Sequence, residues 1–358
     1  MKELLRKNIA TLKPYSSART EFTGKADVYL DANEHYRDFV GMADANRYPD
    51  PRAAVLRRKL EEVLGLPFEH TVLGSGSDEL IDNLIRAVCT PGKDSILILP
   101  PTYGAYKVFA DINDVKVHEV PLLPSFEIDF PALDQFLSNE RNERSEGRLK
   151  LLFLCSPNNP TGNSYSLETI EKVLKIFDGL VVLDEAYYDF SEGESGVSLL
   201  SKYDHLVVLR TLSKAWGLAS ARVGIGIGSK ELVDVINKIK YPYNLGTPSQ
   251  ALALKALENA DSVQESLDEI KKERSRLSKA LSTFGCVENV YPSDANFLLL
   301  KVDDATRLYT FLTENGTIIR NRTKERGLEN CVRITVGSQA ENDILLEGFE
   351  AYMRKYYA

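Results

Sequence analysis

The chain has no Cys-x-x-Cys pair: Cys89, Cys155, Cys286 and Cys331 stand far apart. That spacing excludes a disulfide framework and a redox or zinc motif, and it predicts reduced, mostly buried thiols. Four histidines (His35, His70, His118, His205) are scattered without the spacing of metal ligands, so no metal is expected. Basic residues are outnumbered, 44 Lys and Arg against 52 Asp and Glu, and none of them cluster. Binding a phosphate backbone needs concentrated cations, so nucleic acid is not an expected partner. No apolar run approaches membrane-spanning length. The first residues, Met1-Lys2-Glu3-Leu4-Leu5-Arg6-Lys7, are charged where a signal peptide would be apolar. A cytoplasmic protein with no membrane partner is the expectation. There is also no internal repeat.

The 358 residues, 43% hydrophobic and 27% charged, exceed one comfortable core and suggest a large domain with a smaller one. The middle of the chain alternates apolar, strand-like runs (95–99, 115–120, 149–154, 180–184, 206–210 and 223–228) with amphipathic stretches (78–88, 103–110, 167–177 and 230–239). Short apolar strands separated by helices predict an α/β fold: a mostly parallel sheet covered by helices on both faces. Ligands in such sheets bind beyond the carboxyl ends of the strands. The mixed-charge run 139–148 reads as a solvated helix end and loop. From about residue 259 the texture changes to a long charged helix (261–282), strands at 295–302, 317–320 and 331–336, and a final helix. The division expected is an N-terminal arm (1–34), a large domain (35–258) and a smaller α+β domain (259–358).

Four strand-end loops carry the chemistry. Lys214 lies in Thr211-Leu212-Ser213-Lys214-Ala215-Trp216-Gly217, just past an apolar strand. An amine there is placed to be desolvated, to lose its proton and to attack a carbonyl carbon. Arg222 follows, and it cannot lose its charge. An amine nucleophile beside an obligate cation suggests a Schiff base to a phosphorylated aldehyde, with pyridoxal phosphate the obvious choice. Gly74-Ser75-Gly76-Ser77-Asp78-Glu79 opens a helix and could cradle an anion on its backbone N–H groups. The bland alternative is a capping box of Ser75 and Asp78. Ser156-Pro157-Asn158-Asn159-Pro160-Thr161-Gly162 is a stiff turn able to present a side-chain amide, or a plain turn. Asp184 ends a buried strand, where an ionised carboxylate needs a partner: a cationic ligand atom such as a protonated ring nitrogen, or else the start of the next element to cap or a local Arg. Tyr187 follows three residues later and can donate to a ligand oxygen or merely pack. Gly224-x-Gly226-x-Gly228 lacks the spacing of a dinucleotide loop and reads as strand near a close backbone contact.

These strings, in this order, resemble the fold-type I, pyridoxal-phosphate-dependent aminotransferases, and within them the histidinol-phosphate aminotransferase family. Pro14-Tyr15-Ser16-Ser17-Ala18-Arg19, Asn46-Arg47-Tyr48-Pro49, Pro101-Thr102-Tyr103, Pro242-Tyr243-Asn244 and Cys331-Val332-Arg333-Ile334-Thr335-Val336-Gly337 extend the likeness over essentially the whole chain. The resemblance implies that Lys214 carries the cofactor and shuttles a proton. It implies that Asp184 pairs with the pyridinium nitrogen, while Asn159 and Tyr187 hydrogen-bond the ring's phenolic oxygen; Lys214, Asp184 and Tyr187 form the catalytic set. Tyr103 would stack on the ring. Ser77, Asp78, Ser213 and Arg222 would hold the phosphate, with Tyr48 reaching across from the second subunit of a homodimer whose active sites lie at the interface. Arg333, helped by Arg320, would take the substrate's anionic group, and Tyr15, Asn33 and Tyr243 match substrate-side positions. The implied partners are histidinol phosphate and 2-oxoglutarate or glutamate. An aromatic aminotransferase, a threonine-phosphate decarboxylase and a non-catalytic cofactor-binding regulator are the alternatives.

Overall fold

In the computed structural model, residues 3–15, 26–41, 45–142 and 147–357 are described. Runs rich in Val, Leu and Ile form a seven-stranded sheet: β1 (Thr71–Ser75), β2 (Ser95–Ile98), β3 (Lys116–Glu119), β4 (Leu149–Cys155), β5 (Leu180–Asp184), β6 (Leu206–Thr211) and β7 (Val223–Gly228). Their spatial order is β1-β7-β6-β5-β4-β2-β3. β7 runs antiparallel to both neighbours, and the other pairings are parallel. β5, β6 and β7 are buried along their whole length. Alternate residues feed two cores: Leu152, Val181 and Val208 face one layer of helices, and Leu151, Val182 and Val207 face the other. A strand covered on both faces has no polar side to show, which is why these segments read as continuous apolar runs. Each such side chain removed from water contributes about 1.5–3 kcal/mol.

The helices Gly76–Val88 and Lys230–Ile239 pack on one face, and Ala54–Leu64, Leu167–Ile176 and Thr247–Glu258 on the other. A second, antiparallel sheet has the order β10-β11-β9-β8, with β8 at Val287–Val290, β9 at Phe297–Val302, β10 at Arg320–Asn321 and β11 at Cys331–Thr335. Leu298, Leu300, Val332 and Ile334 meet Leu277, Leu308 and Phe349 beneath it. The final helix, Gln339–Tyr356, opens on a capping box of Ser338 and Glu341.

Three elements differ from expectation. β1 was not anticipated: its Thr-Val-Leu-Gly-Ser pairs to its last residue with β7, Ser75 opposite Val223. β8 was also unanticipated, because it is short and only half-buried. The strand expected at 317–320 shrinks to Arg320–Asn321 because the Thr317 N–H is tied back to the Leu312 carbonyl at 2.8 Å. All four cysteines are free and buried. Among the described residues no helix is long and apolar enough to cross a membrane, and no group of side chains is arranged to hold a metal ion.

The chain leaves β2 for the edge strand β3 and then crosses back to β4. That reversal opens a crevice at the carboxyl ends of β2 and β4, beside those of β5 and β6.

Candidate active site

A cavity of about 800 Å³ fills this crevice and reaches the second sheet. It gathers Ser77, Asp78, Tyr103, Asn159, Asp184, Tyr187, Ser213, Lys214, Arg222, Arg320 and Arg333 from segments up to 256 residues apart in sequence, the span from Ser77 to Arg333. Four sequence-predicted positions lie elsewhere. Tyr15 is 74% exposed, and Asn33, also exposed, lies outside any helix, strand or turn with φ of +55°. Tyr48 and Tyr243 stack on each other with ring centroids 4.4 Å apart. Residues 16–19 of the Pro14–Arg19 string lie outside the described residues.

Asp184 ends β5 with 3% of its surface exposed. Its carboxylate accepts from Tyr106 Oη at 2.7 Å and from the Ala186 N–H at 3.1 Å, both neutral donors. Burial dominates and pushes its pKa up to about 6, with those two hydrogen bonds opposing the rise. An acid held this way favours a cation in the cavity. Lys214 follows β6, with Nζ 5.6 Å from the Tyr187 ring centroid. Desolvation lowers its pKa first, Arg333 next, while Asp78 pulls it back. Its amine is therefore neutral at lower pH than an ordinary lysine's.

Arg222 adopts the left-handed conformation, with φ of +53°. Its guanidinium donates to Ser213 Oγ and to Asp78 Oδ2, each at 3.2 Å, across the N-terminus of the Gly76–Val88 helix. Gly76, at φ +77°, admits it: a Cβ there would occupy the guanidinium's place. Ser75 makes no side-chain cap, so the capping-box reading fails; Glu79 instead takes the Ser75 N–H. The helix opening keeps free N–H groups beside a fixed cation and a hydroxyl, a donor set that suits a phosphate.

Asn159 Nδ2 lies 3.3 Å from Tyr187 Oη, and Arg333 Nη1 donates to Asn159 Oδ1. Beneath it, Asn158 bonds Thr102 Oγ1 at 2.9 Å, the Pro101 carbonyl at 2.8 Å and Thr161 Oγ1 at 2.7 Å. The first of the paired asparagines thus locks two loops together, and the second faces the cavity. Sequence reasoning missed Tyr106, whose place in an apolar helix face gives no polar signal, and the buried Glu185–Arg210 pair at 3.1 Å, which ties the ends of β5 and β6. It also missed the cavity residues Arg322 and Glu325.

These groups fit pyridoxal phosphate: an acid for a ring nitrogen, an amide and a phenol for a ring oxygen, an arginine and helix N-terminus for a phosphate, and an amine for an aldehyde. The family model Aminotransferase class I and II matches residues 23–349, and the chain belongs to that family of pyridoxal-phosphate-dependent enzymes. Within it, the chain is 46% identical over 349 residues to the histidinol-phosphate aminotransferase of Cytophaga hutchinsonii, covering 98% of each chain. It is 46% identical over 350 residues to that of Christiangramia forsetii, covering 97% of each. The crystal structure of the histidinol-phosphate aminotransferase from Clostridium acetobutylicum superposes with a TM-score of 0.77 at 26% identity, over 86% of this chain and 91% of that one. The particular group to which the chain belongs is thus the histidinol-phosphate aminotransferases.

Proposed function

We propose that the enzyme moves the amino group between L-histidinol phosphate and 2-oxoglutarate, yielding imidazole-acetol phosphate and L-glutamate, in two half-reactions through one pocket. The observation that carries this reading is Arg333. It lines the same cavity as Arg222 and helps lower the Lys214 pKa, and its guanidinium can pair with either a phosphate or a carboxylate. Pyridoxal phosphate, when bound, supplies the aldehyde that takes the amino group and a ring that draws electrons from the substrate's Cα.

The chain's own residues do the rest. Lys214 Nζ, its pKa lowered by desolvation, would take the proton from the substrate's Cα and pass it, on the same face, to the carbon that was the cofactor's aldehyde. Asp184, as a carboxylate, pairs with the ring nitrogen. Asn159 and Tyr187 hold the ring oxygen, and Tyr103 covers the ring. Ser77, Asp78, Ser213 and Arg222 hold the phosphate. Arg320 assists Arg333, and Tyr15, Asn33 and Tyr243 complete the substrate side.

Those last three residues and Tyr48 lie outside the cavity of a single chain, which supports a homodimer with the active sites at the interface. We place the boundaries of the arm, large domain and small domain at 1–34, 35–258 and 259–358, and the enzyme in the cytoplasm, where four free thiols remain reduced. The test is a single turnover of the cofactor-loaded enzyme with histidinol phosphate. Stoichiometric conversion of the bound cofactor to its pyridoxamine form is expected. Release of carbon dioxide from threonine phosphate, or conversion by aromatic amino acids alone, would overturn the assignment.

A further inference from the structure

The antiparallel pairing of β10 with β11 sets Arg320 directly opposite Arg333. Directly opposed side chains share a face of the sheet, and like charges there cost stability. Arg322, two residues beyond Arg320, returns to the same face, and its N–H bonds the Cys331 carbonyl at 2.8 Å to extend the ladder. Arg320, Arg322 and Arg333 therefore converge at one end of the cavity, which Lys324 and Arg326 of the following loop also line. One carboxylate that lines the cavity, Glu325, lies on the same loop. Glu325 Oε1 lies 2.9 Å from Arg322 Nε, on a turn closed by the Glu325 N–H to the Arg322 carbonyl at 2.9 Å. Arg322 is 12% exposed and Glu325 36%. The Arg322 Nε–H does not align with Glu325 and has no hydrogen-bond acceptor among the described residues. Burial raises the Glu325 pKa, and Arg322, Arg333 and Arg320 each pull it back down. Leu328, fully buried against Phe126 and Leu299, pins the far side of this turn.

We propose that Glu325 is a resident counter-anion of the substrate's distal anion site, and that Arg322 is a third arm of that site, surrendered to the ligand on binding. This rests on the reading above that substrates present an anion to Arg333. The Arg322–Glu325 contact is poorly aligned, so an incoming phosphate oxygen can take the unused Nε–H that the carboxylate leaves. Arg320, Arg322 and Arg333, with Lys324 and Arg326 on the same loop, outweigh the Glu325 carboxylate, and this surplus of positive charge favours a phosphate monoester dianion over a single carboxylate. Glu325 also repels whatever enters. The repulsion scales with the ligand's charge, so it falls twice as heavily on a dianion as on a monoanion. Glu325 thus narrows the advantage that so cationic a site would otherwise give a phosphate over a carboxylate. An enzyme that must bind both in turn, and release both, needs such a narrowing.

The test uses cofactor-loaded wild-type enzyme and Glu325→Gln, with Glu325→Ala as a second variant that also removes the anion. KM is measured for histidinol phosphate and for glutamate, and inhibition constants for inorganic phosphate and acetate. Removing one partly exposed charge is expected to lower the phosphate constants about four-fold and the carboxylate constants about two-fold. Unchanged or raised phosphate constants in both variants, or equal effects on phosphate and carboxylate, would overturn the proposal. Wild-type enzyme that accepts glutamate but not histidinol phosphate would instead defeat the substrate assignment. The comparison of inorganic phosphate with acetate would then still decide the role of Glu325.

Discussion

Asp184 is an acid at the end of a strand buried on both faces, and burial lifts its pKa from 3.8 to about 6. An acid whose folded-state pKa exceeds its unfolded value binds protons more tightly in the native state. Its contribution to stability is full below about 4 and is lost as pH rises through about 6. The cofactor-free protein thus carries a charge without a cation at neutral pH, at a cost on the order of 3 kcal/mol. Asp184→Asn keeps the shape, and the Tyr106 hydroxyl can turn to accept from the new amide. The variant apoprotein should gain stability over wild type, and the difference should grow from pH 4 to pH 7 in denaturant titrations. Amino transfer should fall roughly 10²–10³-fold as the ring nitrogen loses its partner. A pH-independent stability difference would contradict this account. The sequence placed Asp184, Lys214 and Arg222 at loop mouths, and chemistry suggested their ligand. Tyr106, Arg322 and Glu325 were illegible there, because a tyrosine on an apolar helix and a surface-like charge pair carry no signal until the fold turns them inward.

At the scale of elements, the end of the cavity proposed for the phosphate depends on two glycines in different strands' neighbourhoods. Gly76 opens its helix at φ +77°, and a Cβ on Gly224 in β7 would run into the Gly76 carbonyl carbon and the Ser77 nitrogen. Backbone meets backbone there, so the loop can lie flat on β7, and β1 stays paired as far as Ser75. Gly224→Ala should displace the helix opening, destabilise the protein by about 1–3 kcal/mol and weaken cofactor binding in equilibrium dialysis. A variant that melts earlier but binds cofactor normally would separate packing from site geometry. The alternating glycines of β7 were readable as strand residues near a close contact. The pairing of β1 with β7 was not, since Gly74 and Ser75 look like loop residues when the partner strand is unknown.

Over the whole molecule, apolar surface gathers in the segment 26–41: Val28, Leu30, Tyr36, Phe39 and Val40 are 69–91% exposed. A run of large apolar side chains in water marks an interaction surface. Tyr48, half-exposed and stacked on Tyr243, lies just beyond it in sequence. With a second copy covering this surface, light scattering should give about twice 40.1 kDa. Tyr48→Phe should weaken cofactor binding by roughly ten-fold, the loss of one hydrogen bond to a charged group. A fully cofactor-loaded monomer would refute both expectations.

By itself the sequence determined the alternation of strand and helix, because apolar periodicity is local and each strand buried on both faces must be apolar throughout. It also singled out Lys214, Asp184 and Arg222 as an amine, an acid and an obligate cation at strand ends, because few residue types can do the chemistry proposed for them. Only the tertiary structure decided which of these groups meet. The β2–β3–β4 reversal opens the crevice, and the second sheet brings Arg320, Arg322, Arg333 and Glu325 to its far end. Such juxtapositions depend on strand order and sheet register, which are set by long-range packing that no local stretch of sequence encodes.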